Sequence, residues 1–264
     1  MLPLPIWDGS EVTPYYVMHA AAILGAATLA AWLNRRQGIP LHVTVLIAVV
    51  GAIAGRAGAR FLDILEYRRA FSVVGLFGYG TSSIYGGLVV AIAVAAVGTR
   101  AFGVSLRRFL DGSAPALALA EAVTRVGCFL AGCCYGVPWK GPLAVSFPAG
   151  SLAFSDQIER GILTAGASQS VAVVPVQLLS AAFAAVACTG LVWLFRQRHR
   201  DGVVFYVYLV FYGVLRLGMV PLRQEALASM KVFSAGFIAV GALGLALEKR
   251  RDLLTRRSPC VRRF

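Results

Sequence analysis

The chain has 264 residues, of which 58 % are apolar and only 14 % are charged. A soluble domain has about 45–50 % apolar and about 25 % charged residues, so this composition excludes an ordinary cytosolic enzyme and a secreted disulfide scaffold. The net charge of +13 would indicate nucleic-acid binding in a soluble protein, but here the basic residues lie between long apolar stretches. We therefore expect a membrane protein without a nucleic-acid partner.

Several apolar stretches are long enough to cross a bilayer, whose core of about 30 Å requires roughly 20 residues per helix. Because the bilayer core contains no water, each stretch must satisfy its own backbone hydrogen bonds as a helix. The sequence predicts an all-α integral membrane protein with about seven transmembrane helices in a single membrane domain, residues 1–264. The predicted spans are 14–33, 40–62, 83–99, 109–133, 173–195, 203–222 and 231–248.

Basic residues concentrate in alternate loops and in the C-terminal tail, which predicts the orientation of the helices. Cytoplasmic loops are enriched in Lys and Arg, so we expect an outer N-terminus and a cytoplasmic C-terminus. Two connections would then lie outside. Residues 63–84 predict an arm on the membrane surface. Residues 136–172, rich in Gly, Pro and Ser, predict a small periplasmic head insertion with a candidate short strand at 143–147.

Glycines mark two places in the second and third spans. Gly51, Gly55 and Gly58, with Ala54, have the spacings of four and three that let two helices approach closely, and packing alone explains them. Gly86 and Gly87 stand at the outer start of the third helix, where free backbone N–H groups could bind an anion. A simple turn into the helix is the alternative for this pair.

Residues 111–136 carry the densest set of polar residues within a span, interrupted by glycines. Broken helices at membrane depth occur where they line a cavity or are buried in protein, so we expect a polar cavity that opens outward. Cys128, Cys133 and Cys134 have neither a CxxC pattern nor the spacing of a zinc site, so we expect no metal site there. Small apolar packing is their predicted role, with a disulfide or a reactive thiol as the alternative.

Four arginines, Arg56, Arg60, Arg125 and Arg216, fall within or at the edge of apolar segments. A charge at membrane depth costs at least ~2.5–3.5 kcal/mol, so four charges of one sign indicate an anionic ligand. Internal ion pairs are the alternative, and Glu121 lies one helical turn before Arg125. Tyr212 and Arg216 are likewise one turn apart and should share a helix face.

These segments together resemble the prolipoprotein diacylglyceryl transferase family, over about residues 15–225. The strongest match is Asp-x-x-Ala-Pro-Ala-x-x-Leu at 111–119. The other motifs follow in the family's order: Tyr15-Tyr16, Gly58-Ala59-Arg60, Gly86-Gly87, Arg125-x-Gly127-x-Phe129-x-x-Gly132 with Gly136, Pro175-x-Gln177-Leu178, and Tyr212-Gly213-x-x-Arg216 with Arg223.

The resemblance implies transfer of a diacylglyceryl group from phosphatidylglycerol to the thiol of a lipobox cysteine, with release of glycerol phosphate. The partners would be this anionic phospholipid and a prolipoprotein signal peptide, and no cofactor is expected. Arg125 and Arg216 match the family's essential arginines and, with Tyr85, are the candidate catalytic residues. The candidate substrate-binding residues are Tyr16, Arg60, Gly86, Gly87, Asp111, Glu121, Cys128, Cys133, Gly136, Gln177, Tyr212 and Arg223.

The chain departs from the family at five positions. Tyr85 stands where the family usually has histidine. Cys128 and Ala131 stand where it has asparagine, and Cys133 and Val220 where it has glutamate. Tyrosine, with a pKa near 10, is a poor proton acceptor at neutral pH, so Tyr85 is expected to contact substrate or assist proton transfer. These departures leave two alternatives open: transfer from the same lipid to a different acceptor, and a non-catalytic phospholipid-binding membrane protein.

Overall fold

Helices make up most of the protein in the computed structural model, which describes residues 4–5, 11–12, 14–66, 84–164, 166–197, 200–224 and 228–256. Two short antiparallel strands, β1 (Leu4–Pro5) and β2 (Glu11–Val12), precede the first helix. The helices are α1 (Pro14–Arg36), α2 (Leu41–Glu66), α3 (Ile84–Ala101), α4 (Leu106–Ala131), α5 (Leu152–Glu159), α6 (Val176–Arg196), α7 (Val203–Met219) and α8 (Ala228–Arg256), and a 3₁₀ turn (Val220–Leu222) extends α7.

Most of these helices have the length and hydropathy of membrane spans, which confirms an all-helical, multi-pass membrane protein. Within the described residues, six qualify: Pro14–Arg36, Leu41–Leu65, Leu106–Ala131, Val176–Arg196, Val203–Leu222 and Met230–Arg251. The third predicted span, 83–99, corresponds to α3, which is apolar but shorter. Seven crossings and the outward N-terminus therefore stay predictions.

The chain divides into two compact units. The first unit comprises Met1–Ala26, Pro115–Arg198 and Tyr206–Phe264, and the second comprises Ala27–Ala114 and His199–Phe205. Helices α1, α4 and α7 each contribute residues to both units.

Glycine contacts hold α2 against α3 in the second unit, as the spacing of small residues predicts. A Cβ atom at Gly58 would lie 2.8 Å from the carbonyl oxygen of Gly86, and one at Gly87 would lie 3.1 Å from that of Gly55. Contacts under 3.0 Å force a shift of the neighbouring backbone, so a side chain at position 58 would push the helices apart. This close approach confirms the packing role of Gly55 and Gly58. The prediction was wrong for Gly51, where a Cβ atom would meet no atom of the described residues within 4 Å.

The predicted head insertion, 136–172, belongs to the first unit and contains a short helix that the sequence analysis did not predict. This helix, α5, begins after Ser151, whose Oγ accepts a hydrogen bond of 3.3 Å from the N–H of Phe154. The candidate strand at 143–147 is reduced to isolated bridges, among them Val145 with Val173. Of the predicted surface arm, residues 63–66 complete α2, and 67–83 lie outside the described residues.

Candidate functional site

Three arginines of the first unit converge on one neighbourhood: Arg125 on α4, Arg216 on α7 and Arg223 just after the 3₁₀ turn. Arg125 and Arg216 are largely buried, with 12 % of the Arg125 side chain and 7 % of Arg216 exposed. Burial lowers the pKa of Arg223, and the charges of Arg216 and Arg125 lower it further. Arg125 and Arg216 thus act electrostatically on Arg223 within the first unit.

Glu121 is the carboxylate that α4 places beside this cluster. Its Oε1 lies 3.5 Å from Nη2 of Arg125, one helical turn away. Charge-assisted hydrogen bonds are usually about 2.7–2.9 Å long, so this contact is a loose one. A guanidinium carries five N–H donors, and Arg125 therefore keeps most of its donors for a ligand. The predicted pairing of Glu121 with Arg125 is present, and it engages one N–H group of the guanidinium.

Aromatic rings on α7 flank Arg216. Its guanidinium carbon lies 5.8 Å from the centroid of the Tyr212 ring, which is within the range of a cation–π contact. The Tyr212 ring in turn lies 5.8 Å from Tyr208 and 6.0 Å from Phe237 of α8. Tyr212 and Arg216 thus share a helix face, as their spacing predicts, and the ring packing restricts where the guanidinium can point.

Three thiols meet where α4 ends. Gly132 and Cys134 both adopt the left-handed backbone conformation, with φ of 71° and 57°. This turn brings the Sγ atoms of Cys128, Cys133 and Cys134 within 4.8 Å of one another. The sequence analysis did not predict this convergence of thiols. A left-handed cysteine is uncommon, and the spacing of the three cysteines does not indicate one. The glycine break after α4 was the available signal.

Cys134 is the exposed member of the three thiols, and Cys128 is buried. Hydrogen bonds with Cys128 and Cys133 lower the pKa of the Cys134 thiol, and the charges of Arg125 and Arg223 lower it further. Hydrogen bonding to the other two thiols raises the pKa of Cys133. The thiolate form is therefore concentrated on Cys134, beside the arginines.

Gln177 opens α6 and is 1 % exposed. Its Nε2 donates a hydrogen bond of 2.8 Å to the carbonyl oxygen of Cys133. Its Oε1 is buried and has no hydrogen-bond partner among the described residues. A buried acceptor without a donor costs about 1–3 kcal/mol, so this oxygen is suited to accept a hydrogen bond from a ligand.

Gly136 links the segment after the thiols to the end of α7. Its N–H donates to the carbonyl of Val174 at 3.0 Å, and its backbone forms a bridge with Arg223. A Cβ atom at position 136 would lie 2.6 Å from the carbonyl oxygen of Leu222, which explains why a glycine occurs here. Gly136 thus positions Arg223 through the backbone, while contact with substrate stays a prediction.

A cavity of about 210 Å³ with an apolar lining lies in the first unit. The lining residues are Trp139, Pro142, Leu143, Val174, Pro175, Leu179 and Leu222. Leu222 directly precedes Arg223, so apolar groups have space near this arginine. The polar cavity that the sequence predicts stays a prediction.

Tyr16 belongs to the first unit and is 49 % exposed on α1. Its ring meets that of Tyr15 edge-on, with centroids 5.5 Å apart. A role in substrate binding remains a prediction for this residue.

The remaining predicted residues belong to the second unit. Tyr85 is buried in the first turn of α3, next to Gly86 and Gly87, whose packing against α2 explains them without a ligand. Arg60 is buried and pairs with Asp63 at 3.5 Å. Roles of these four residues in substrate binding or catalysis stay predictions.

Asp111 has a structural role in the second unit that the sequence analysis did not assign. Its two carboxylate oxygens accept hydrogen bonds from the N–H groups of Gly202 at 2.6 Å and Phe205 at 2.8 Å. These N–H groups open α7 and would otherwise have no intrahelical partner. Asp111 thus caps α7, and the expectation that it also orients the arginines is untested.

The fold and the site define a multi-pass membrane protein with clustered arginines beside an apolar cavity. The chain belongs to the prolipoprotein diacylglyceryl transferase family, whose sequence model matches residues 5–247. The resemblance that the motifs indicated is confirmed.

Relatives named phosphatidylglycerol–prolipoprotein diacylglyceryl transferase cover most of the chain. The protein of Clostridium tetani is 28 % identical over 230 residues, which is 86 % of each chain. That of Geobacillus kaustophilus is 27 % identical over 246 residues, covering 89 % of this chain and 88 % of its own. Transferase 2 of Clostridium perfringens is 26 % identical over 245 residues, covering 89 % of this chain and 90 % of its own.

Proposed function

We propose that the protein transfers the diacylglyceryl group of phosphatidylglycerol to the thiol of a lipobox cysteine in a secreted precursor, in a bacterial inner membrane. Family membership and the names of the relatives support this substrate pair. The observation that carries the proposal is that Arg125 and Arg216, two largely buried arginines, act electrostatically on Arg223, with Glu121 beside Arg125.

The positive charges of this cluster suit a phosphodiester. Arg125 and Arg216 both act electrostatically on Arg223, and Glu121 pairs loosely with Arg125. Phosphatidylglycerol brings one negative charge, and its glycerol phosphate product carries more. Binding of the lipid head group therefore places an anion beside positive charges that are costly at membrane depth.

The reaction exchanges one bond for another. The acceptor sulfur forms a bond to the diacylglycerol carbon, and the bond from that carbon to a phosphate oxygen breaks. The bonding electrons go to the phosphate, which leaves as glycerol phosphate, while the acceptor thiol gives up its proton. Negative charge therefore grows on the phosphate, and fixed guanidinium donors in a dry site stabilise it.

The residues of the first unit take distinct roles. Arg125 and Arg216 hold the phosphate oxygens, Glu121 orients Arg125, and Tyr212 restricts Arg216. The unpaired Oε1 of Gln177 accepts a hydrogen bond from a hydroxyl group of the glycerol head group.

Other predicted residues complete the binding of the two substrates. Arg223 adds a third positive charge to the phosphate site. In the second unit, we propose Tyr85 as a substrate contact that assists proton transfer and Gly86 and Gly87 as N–H donors to an anionic group. Cys128 and Cys133 occupy positions where the family has polar residues, so the acceptor side of the site differs from that of the relatives.

The test uses the purified full chain in proteoliposomes with phosphatidylglycerol labelled in its diacylglycerol part and a lipobox peptide. We expect label on the peptide and release of one glycerol phosphate per transfer, with none on a matched peptide whose cysteine is serine. If glycerol phosphate is released only when other acceptors are supplied, the acceptor is not a lipobox cysteine. Lipid binding without turnover would identify a non-catalytic phospholipid-binding protein.

A further inference from the structure

The thiol groups of Cys128, Cys133 and Cys134 take no part in the bond exchange of the transfer reaction proposed above. We propose that this thiol cluster is a binding site for one soft metal ion, such as Cd²⁺, Hg²⁺ or Cu⁺, held by three sulfur ligands. The proposal rests on the three Sγ atoms lying within 4.8 Å of one another.

The sulfur separations fit a three-coordinate ion. With metal–sulfur bonds of about 2.3 Å, a planar three-sulfur site places its sulfurs about 4.0 Å apart. The three Sγ atoms lie at most 4.8 Å apart, so at most a small inward rotation of the side chains would bring them to this distance. A structural zinc site normally has four ligands, whereas thiolates select soft ions, and three sulfurs suit ions that accept low coordination numbers.

The backbone holds the cluster in place before any ion arrives. The N–H of Cys133 donates to the carbonyl of Cys128 at 3.1 Å, which closes the end of α4. The carbonyl of Cys133 is in turn fixed by the amide of Gln177 at 2.8 Å. Cys133 and Cys134 are neighbours in the turn, and Cys128 lies on the last turn of α4. The two hydrogen bonds thus connect the thiol-bearing turn to α4 and to α6.

The surroundings meet the other requirements of a metal site. Cys134 is exposed, Cys133 is partly exposed and Cys128 is buried, so an ion has an entry path that ends inside the protein. Three thiolates around a divalent ion carry one net negative charge. Arg125 and Arg223 both act electrostatically on Cys134, so their positive charges compensate that complex.

The test titrates Cd²⁺ into the reduced full chain in detergent, with sulfur-to-cadmium charge-transfer absorption as the readout. We expect one ion per chain and at least tenfold weaker binding in Cys128→Ser, Cys133→Ser and Cys134→Ser. Cys188→Ser, which removes a buried thiol on α6, is the matched control and should bind as the wild type does. Wild-type protein without the absorption band, or with unchanged affinity in all three cluster variants, would overturn the proposal. Cys134 is exposed, so its variant keeps the test valid if a buried one fails to fold.

An ion at this cluster would occupy space beside Arg125, so Cd²⁺ should slow the transfer reaction. This expectation rests on the proposed function, whereas the absorption titration does not, and the two can fail separately. In the labelled-lipid assay, Cd²⁺ should inhibit the wild type at least tenfold more strongly than Cys134→Ser, each relative to its own metal-free rate. Equal inhibition of both proteins would contradict the placement of the ion at the cluster.

Discussion

The guanidinium group of Arg216 lies 5.8 Å from the centroid of the Tyr212 ring, one helical turn earlier on α7. This pairing matters because a long arginine side chain has many rotamers, and holding one of them costs conformational entropy. Because Tyr212 packs against Tyr208 and Phe237, its ring restricts the rotamers of Arg216 before substrate binds, and less entropy is lost on binding. The site is therefore partly preorganised for an anion.

Tyr212→Leu should weaken the orientation of Arg216 without removing its charge. We expect turnover to fall about tenfold while lipid binding changes less, since catalysis depends on placing the guanidinium where charge develops. Initial rates over a range of phosphatidylglycerol concentrations separate kcat from KM. Tyr212→Phe, which keeps the ring, is the matched control. A loss in the phenylalanine variant equal to that in the leucine variant would show that the hydroxyl group, rather than the ring, is required.

The contact between α7 and α8 depends on the absence of a side chain at Gly213. A Cβ atom there would lie 2.7 Å from the carbonyl oxygen of Ser234 and 2.7 Å from Cγ1 of Ile238. Gly213→Ala should therefore destabilise the protein by about 1–3 kcal/mol through overpacking. Gly218→Ala, five residues later where no atom lies within 4 Å, is the control and should leave stability within about 0.5 kcal/mol or raise it slightly. Thermal unfolding in detergent measures both, and equal Tm values for the two variants would contradict the packing interpretation.

Gln177 joins the start of α6 to the thiol-bearing turn by one hydrogen bond. Gln177→Leu removes the donor to the carbonyl of Cys133, and we expect a loss of about 1–3 kcal/mol from the unpaired carbonyl. It should also raise KM for phosphatidylglycerol, because the acceptor oxygen proposed for the head group is gone. Thr189→Val, on the exposed face of the same helix, should change neither Tm nor KM appreciably. A stable leucine variant with unchanged KM would remove Gln177 from the binding site.

Cys134 should react with an alkylating reagent at lower pH than a free cysteine. Only the thiolate reacts, and because the pKa of Cys134 is lowered, its thiolate persists at pH values where an ordinary thiol is protonated. The midpoint of the rate against pH should lie below the usual value of about 8.5, measured with chelator present. Arg223→Gln removes one of the charges that favour the thiolate, so it should move the midpoint upward. A midpoint that stays fixed in this variant would show that Arg223 does not act on the thiol.

The helical fold follows directly from the sequence because long apolar stretches have only one way to satisfy their backbones in a bilayer. The short helix α5 was missed because it lies among Gly, Pro and Ser residues and its start depends on the cap by Ser151. The cap formed by Asp111 was missed because its partners, Gly202 and Phe205, lie 91 and 94 residues away. Contacts of that range leave no periodic signal in the sequence.

The candidate site was only partly predictable. The pairing of Glu121 with Arg125 and the shared face of Tyr212 and Arg216 follow from helical spacing alone. The position of Arg223 beside them depends on the backbone bridge with Gly136, and the sequence offered it only through the family resemblance. The meeting of the three thiols depends on two left-handed residues in the turn, Gly132 and Cys134, which no spacing rule anticipates.

The transfer rate of arginine variants tests the central claim most directly: that buried guanidinium groups hold the phosphate of the lipid donor. Arg125→Ala and Arg216→Ala are compared with Arg160→Ala, whose arginine pairs with Asp156 in the head insertion. The rate of diacylglyceryl transfer to a lipobox peptide should fall about 10²–10³-fold or more in the first two and stay at the wild-type level in the third. A wild-type rate in either Arg125→Ala or Arg216→Ala, with the protein correctly inserted, would contradict the account.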